Sequence, residues 1–390
     1  MAKGIMYVDN IRVEFDDEPT IMDVCRKAGV EMPNFCFHSD LSVYGACRMC
    51  MVEDLDTGKI DAACTTKPKN GMRIRTNTSR LLKYRRMILE LMLASHCRDC
   101  TACEKNRSCR LQEMAVRFGI HHVHFKDTRE HVPMDFSSPA VTFDLNKCIL
   151  CGDCVRVCKE VQGMSILHFA GRGPGLHIEA GDDQPISTTH CVSCGQCAAV
   201  CTTGAITVKN DIGAAWRALH DPQKRVVIQI APAVRVAVGE AFGFPAGENV
   251  LDKLVTALKI MGADEIYDTI FGADLTVREE SKEFLRRLET GENLPLMTSC
   301  CPSWVRYVEQ ERPQFIKNLS SALSPMQMFA TVLKDKYREK DAADGRTTFH
   351  IAIMPCTAKK FEAARPEMEK DGKRLTDLVL TTSELARMIK

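Results

Sequence analysis

The chain has 390 residues, 45% of them hydrophobic, and its 52 basic and 51 acidic residues leave a formal charge of +1. That length supports two or more domains with at least one sizeable core, and the balanced charge excludes the strong basic field of a nucleic-acid or acidic-membrane binder. The opening MAKGIMYVDN lacks the apolar stretch of a secretory signal, and no run approaches the roughly 20 apolar residues that span a bilayer. The expectation is a soluble, cytoplasmic protein with no membrane span. Twenty cysteines in such a chain point to metal ligation rather than to a disulfide framework.

In chain order, residues 4–15 alternate apolar and polar side chains, which predicts the first hairpin of a small sheet. TIMDVCRKAGV follows with helical periodicity and a stop at Gly29. Cys36, Cys47, Cys50 and Cys64 come next, spaced x10, x2 and x13, with Gly45 opening a tight GACRMC loop. Thiolates that converge on a compact cluster need such a turn, and glycine permits it. Cys25 lies on the apolar face of the preceding helix and is read as a core residue.

The basic helical stretch SRLLKYRRMILELMLAS leads into HCRDCTACEKNRSC, where His96, Cys100, Cys103 and Cys109 form His-x3-Cys-x2-Cys-x5-Cys. Spacing alone leaves a Cys3His zinc site open beside an iron-sulfur cluster. Cys97 is read as a bystander, and His121, His122 and His124 as structural. From Phe136 a third unit carries Cys148, Cys151, Cys154 and Cys158, then Cys191, Cys194, Cys197 and Cys201, the run Cys-x2-Cys-x2-Cys-x3-Cys twice. In two-cluster ferredoxins the fourth cysteine of each run ligates the other cluster. One cubane would therefore use Cys148, Cys151, Cys154 and Cys201, and the other Cys191, Cys194, Cys197 and Cys158. Lys159 and Thr202 stand where a proline commonly follows the run.

No cysteine occurs for about a hundred residues between Cys201 and Cys300, and after DPQKR strands alternate with helices, which predicts parallel α/β packing. Strands are expected in VVIQIAPAV, ending in a proline-containing loop, and in ADEIYDT, LPLMTS and FHIAIM; helices are expected over 249–262 and 273–291. On this reading the motifs TSCCPSW and MPCTAKK both lie just beyond carboxyl ends of strands, where open α/β sheets place ligands.

The cysteine spacing of the first unit, followed by the His-x3-Cys motif, resembles the start of certain hydrogenases and of the large iron-sulfur subunit of NADH dehydrogenases. That resemblance favours a His-ligated 4Fe-4S cluster over zinc. TSCCPSW and MPCTAKKFE resemble the first two signature motifs of iron-iron hydrogenases, with the upstream clusters in the order of that family's larger members. The fold implied is multidomain α+β and α/β: a β-grasp 2Fe-2S domain over 1–80, a His/Cys3 4Fe-4S domain over 81–135, a two-cluster ferredoxin-like domain over 136–215, and the amino-terminal part of the H-cluster domain over 222–390.

The activity implied is the reversible reduction of protons to H2, with electrons relayed through one 2Fe-2S and three accessory 4Fe-4S clusters. By the same resemblance Cys301 and Cys356 are two of the four thiolates of the active-site cubane, which the family bridges to a two-iron subsite. Cys300 is its proton relay, since a thiol with a reference pKa of ~8.5 passes a proton at modest cost. Neighbouring side chains in an extended loop point opposite ways, which lets Cys301 bind while Cys300 faces the substrate. Lys359 resembles the lysine that binds a cyanide, and Pro232 and Met354 flank the cluster. Ala233 and Met326 depart from positions where hydroxyl and amide side chains are common. Glu280, Glu283 and Arg287 fall at i, i+3 and i+7 on one helix face; taken alone this is a charge-paired surface, and with Ser320 it resembles the family's proton path.

No cysteine follows Cys356, although a four-thiolate cubane needs two more. TTSELARMIK reads as a helix start capped by Thr382 or Ser383 without a stop signal. The expectation is a chain cut in mid-helix that holds the accessory clusters but not the H-cluster. The alternative is an electron-transfer module of a hydrogenase or NADH-dehydrogenase-like complex. Expected partners are flavin- and NAD-linked subunits or a formate dehydrogenase subunit, and ferredoxin, within a hetero-oligomer.

Overall fold

The computed structural model describes residues 3–127, 129, 131–182 and 184–390. Two compact units divide the chain: residues 1–135, 142–189 and 196–207 form the first, and 136–141, 190–195 and 208–390 the second. Among the described residues no helix is long and apolar enough to cross a membrane.

The first unit opens with the expected hairpin, Gly4–Val8 against Ile11–Phe15. Asp9 and Asn10 join the strands with φ of 51° and 72°, the paired positive values that a type I′ turn requires. Alternation sends Met6, Val8, Val13 and Phe15 into the core, where they meet Ile21 and Val24 of the helix Ile21–Lys27. Cys25 is fully buried in that cluster, as read from its helix face. The hairpin belongs to a five-stranded sheet in the order 11–15, 4–8, 73–75, 51–54, 60–62. Beyond it runs the helix Ser79–Ala94, capped by the Thr78 side chain.

Four parallel strands make the sheet of the second unit, in the order Glu265–Asp268, Lys224–Ile230, Thr347–Met354, Leu378–Thr381. The two central strands are covered on both faces, which is why VVI and IAIM are unbroken apolar runs rather than alternating ones. One polar network is sealed inside. Gln229 Nε2 donates to Met326 O (2.9 Å) and to His350 Nε2 (3.1 Å), and burial pushes the His350 imidazole down to about 3, so it stays neutral.

Three expectations are corrected. LPLMTS is not a strand: it makes a single bridge, Met297 to Leu319, because Pro295 has no N–H to give a ladder and only Met297 pairs on both sides. Pro232 does not sit in a loop but opens the helix Pro232–Ala237, where its fixed φ and missing N–H suit the first helical position. The last helix, Thr382–Ile389, is capped by Thr381, one residue earlier than read, through a reciprocal box with Glu384. The helix 249–262 is found as Leu251–Ile260, and that over 273–291 as Ile270–Thr290, closed by Gly291.

That long helix packs on the helix Pro325–Asp344 through Gly272. A Cβ there would stand 2.4 Å from Pro325 O and 2.7 Å from Phe329 Cβ, backbone and near-backbone atoms that cannot swing aside. Gly272→Ala is expected to lose about 1–3 kcal/mol to overpacking, more than the ~1 kcal/mol that helix propensity returns. A urea midpoint equal to or above the parent's would count against this.

Candidate metal centres and active-site loop

Cys36, Cys47, Cys50 and Cys64 are all buried in the first unit. Backbone donors already face their sulfurs: Phe35 N–H to Cys47 Sγ and Cys47 N–H to Cys36 Sγ, both 3.4 Å. The Cys36 thiol donates to Cys47 and the Cys64 thiol to Cys50, which holds Cys47 and Cys50 down to about 7. Gly45 has φ +71°, and a Cβ there would lie 2.6 Å from Thr65 Cγ2, so the turn needs glycine twice over. Two buried arginines that motif spacing does not reveal fasten this loop. Arg85 donates to the carbonyls of Met49, Met51 and Thr76, and Arg156 to Cys36 O (2.8 Å). A basic residue on the apolar side of a helix, as Arg85 is, was the available signal.

His96, Cys100, Cys103 and Cys109 line one cavity, with Cys97 on the same wall. The bystander therefore stands beside the predicted set. His96 Nδ1 is buried without a hydrogen-bond partner, and burial, helped by Arg129 and Lys147, pushes the imidazole down to about 4. A neutral ring with an unused buried nitrogen fits a metal ligand. His124 is elsewhere, paired with Glu90 at 2.8 Å.

Cys148, Cys151, Cys154 and Cys201 line a third cavity. The fourth member comes from the other run, as the crossed pattern requires. Leu150 N–H points at Cys148 Sγ and Ile206 N–H at Cys201 Sγ, both 3.4 Å. Burial, then the charge of Asp153, pushes the Cys151 thiol up to about 12. Four thiolates crowded there need a multiply charged cation, so the donor set fits an iron-sulfur cluster and would be poor as a free thiol pocket. Of the other predicted set, Cys158 accepts Ile166 N–H at 3.3 Å, Cys191 and Cys194 lie in a loop, and Cys197 is in the helix Gln196–Val200.

In the second unit Cys300 and Cys301 are both exposed, and Cys301 is the residue before the helix Pro302–Glu311 rather than the end of a strand. Cys356 does follow a strand, two residues beyond Met354. Lys359 joins the two motifs: its Nζ donates to Cys300 O (2.9 Å) and to Glu362 Oε2 (2.7 Å). Glu362, one helical turn on, was not among the predicted residues, although its i+3 spacing was the clue. Met354 is buried in the core beside Met326, and Pro232 heads its own helix.

Glu283 accepts from Ser320 Oγ (3.1 Å), from Ser321 N and Oγ (both 3.0 Å), and from Arg287 (2.5 Å). Burial opposes its charge, but these donors hold its carboxyl below the usual carboxylate range. Glu280 Oε1 is buried with no hydrogen bond among the described residues. The predicted proton-path residues thus meet in part: Ser320, Glu283 and Arg287 are one network.

Family models match in chain order: the 2Fe-2S iron-sulfur cluster binding domain over 5–79, the NADH-ubiquinone oxidoreductase-G iron-sulfur binding region over 85–124, the 4Fe-4S dicluster domain over 140–202, and the iron only hydrogenase large subunit, C-terminal domain, over 224–390. Over 402 residues the chain is 36% identical to the NADP-reducing hydrogenase subunit HndD of Solidesulfovibrio fructosivorans, covering 100% of this chain and 68% of that protein. The chain belongs to the iron-only hydrogenase large-subunit family. As a member of that family it is also 36% identical over 389 residues to iron hydrogenase 1 of Clostridium pasteurianum, covering 99% of this chain and 67% of that one. An NAD+-reducing NiFe hydrogenase, solved in the H2-reduced state, matches 53% of this iron-only hydrogenase relative and 88% of its own chain, at TM-score 0.50 and 29% identity. The multidomain α+β and α/β description holds, and the chain carries 2Fe-2S and 4Fe-4S domains.

Proposed function

We propose that the chain is the hydrogen-activating iron-sulfur subunit of a multi-subunit complex, interconverting protons, electrons and H2. The observation that carries this reading is the bond from Lys359 to Cys300 O, which ties TSCCPSW to MPCTAKK in a chain of this family. Cys36, Cys47, Cys50 and Cys64 would hold one 2Fe-2S cluster; the His96 set and the two crossed cysteine sets would hold three 4Fe-4S clusters. Cys301 and Cys356 would contribute to an H-cluster, with Pro232 and Met354 alongside. Bound there, the iron groups supply the one-electron steps and the centre at which protons and electrons combine.

The protein's own part is positional and protonic. Cys300, exposed beside Cys301, can hand a proton across at modest cost. Lys359 brings a buried-edge positive charge, paired by Glu362, to donate to an anionic ligand. Ser320 and Glu283 are hydrogen-bonded along one route for protons, with Glu280 as the neighbouring carboxylate and Arg287 fixing Glu283. The domain limits 1–80, 81–135, 136–215 and 222–390 belong to the same reading, as do a cytoplasmic site and flavin- and NAD-linked or formate dehydrogenase partners.

Similarity of residues 85–124 to an NADH-ubiquinone oxidoreductase region favours a second reading, an electron-transfer module. Infrared spectra of anaerobically prepared protein separate the two: CO and cyanide bands with H2 formation from a reduced viologen support the first. Reducible paramagnetic clusters without those bands support the second, and zinc in place of iron removes both.

A further inference from the structure

A polar cluster in the first unit has no part in that chemistry. It sits on the hairpin Leu167–Ala170 and His177–Ala180. His168 and Glu179 are register partners and so share a face, with His168 Nε2 2.9 Å from Glu179 Oε1. His177, two residues before Glu179, shares that face too and brings its Nε2 to 3.3 Å from Glu179 Oε2. His177 Nδ1 donates to Gly175 O at 2.8 Å, so Nε2, which faces Glu179, is the nitrogen left to a metal once its proton is displaced. Metal-binding histidines are oriented by that arrangement. Asp182, in the turn after the strand, completes a group: His168, Glu179 and Asp182 each present a ligand atom, all within 4.8 Å of one another.

An ordinary surface ion pair uses one histidine and one carboxylate. Here two imidazoles converge on one carboxylate and a second carboxylate joins them, a mixed nitrogen and oxygen donor set suited to zinc rather than to calcium or magnesium. We propose that His168, Glu179 and Asp182 bind a divalent transition metal of the zinc type, with His177 standing next as the fourth donor. Such a metal would clip the turn at Asp182 to the hairpin. It would also steady the strand that starts just after Ile166, whose N–H faces Cys158 Sγ.

The test uses cluster-loaded protein, in which the cysteines are occupied. After anaerobic equilibration with a small excess of zinc chloride and gel filtration, zinc and iron are counted by plasma mass spectrometry. About one zinc per chain is expected with iron unchanged, and affinity about tenfold or more weaker in both His168→Gln and Asp182→Asn. Asp182 is exposed, so its variant keeps the fold. A parent that takes up no zinc, zinc that enters only as iron leaves, or parent-like affinity in both variants would overturn the site.

Discussion

Arg287→Met is expected to destabilise the second unit by about 3–5 kcal/mol, the range for breaking a buried ion pair from one side. Arg287 is 5% exposed, and both terminal nitrogens of its guanidinium are committed, while Nε has no hydrogen-bond partner among the described residues. Nη1 donates to the carbonyls of Asn293 (3.0 Å), Lys317 and Asn318 (both 3.2 Å), and Nη2 to Leu319 O (2.8 Å) and Glu283. Methionine fills the volume but leaves the carboxylate and four carbonyls without that donor. Glu283→Gln keeps an oxygen for Ser320 and Ser321, so its loss should be smaller, about 1–3 kcal/mol. Urea midpoints of the two variants check this order. If Arg287→Met unfolds at the parent's midpoint, the clamp is dispensable.

The two variants also separate structure from proton transfer. Turnover that falls further in Glu283→Gln than in the less stable Arg287→Met, with cluster content unchanged, marks a proton route. Turnover that tracks the midpoint marks a scaffold. Sequence periodicity placed Glu283 and Arg287 on one face but could not say that the face is buried, because the carbonyls of Lys317, Asn318 and Leu319, distant in sequence, cover it.

The same physics divides what was legible from what was not. Cysteine spacing is local and chemical, so it foretold which side chains gather: Cys201 does share a cavity with Cys148, Cys151 and Cys154. Alternation of strands with helices foretold the parallel sheet, because each crossover helix returns the chain to the same end of the sheet. LPLMTS misled because Leu294, Leu296 and Met297 are compatible with a strand, while Pro295 removes the donor that a ladder needs. The helix Pro325–Asp344 went unread although Ser324, Pro325 and Gly345 mark its ends in the usual way. Arg85, Arg156 and Glu362 act on partners set by the fold, so only Arg85, basic on the apolar side of its helix, and Glu362, at helical spacing from Lys359, left a mark in the primary structure.

Cys201→Ala and Cys148→Ala should remove the same 4Fe-4S centre, although 52 positions of chain separate a pair read from different runs. Each variant is expected to lose about four iron atoms per chain, and the double variant no more than either alone. Alanine is chosen because a serine oxygen could stand in for the thiolate. The cavity shared by Cys148, Cys151, Cys154 and Cys201 carries this expectation: Cys158 is absent from its walls, and its sulfur instead faces Ile166 N–H. Cys158→Ala should therefore erase a different paramagnetic signal from Cys148→Ala, and combining them should cost about eight iron atoms. If Cys148→Ala and Cys158→Ala erase one signal while Cys201→Ala erases another, each run closes on its own cluster. The chain's two halves of the dicluster motif would then be independent, and the route for electrons would have to be redrawn.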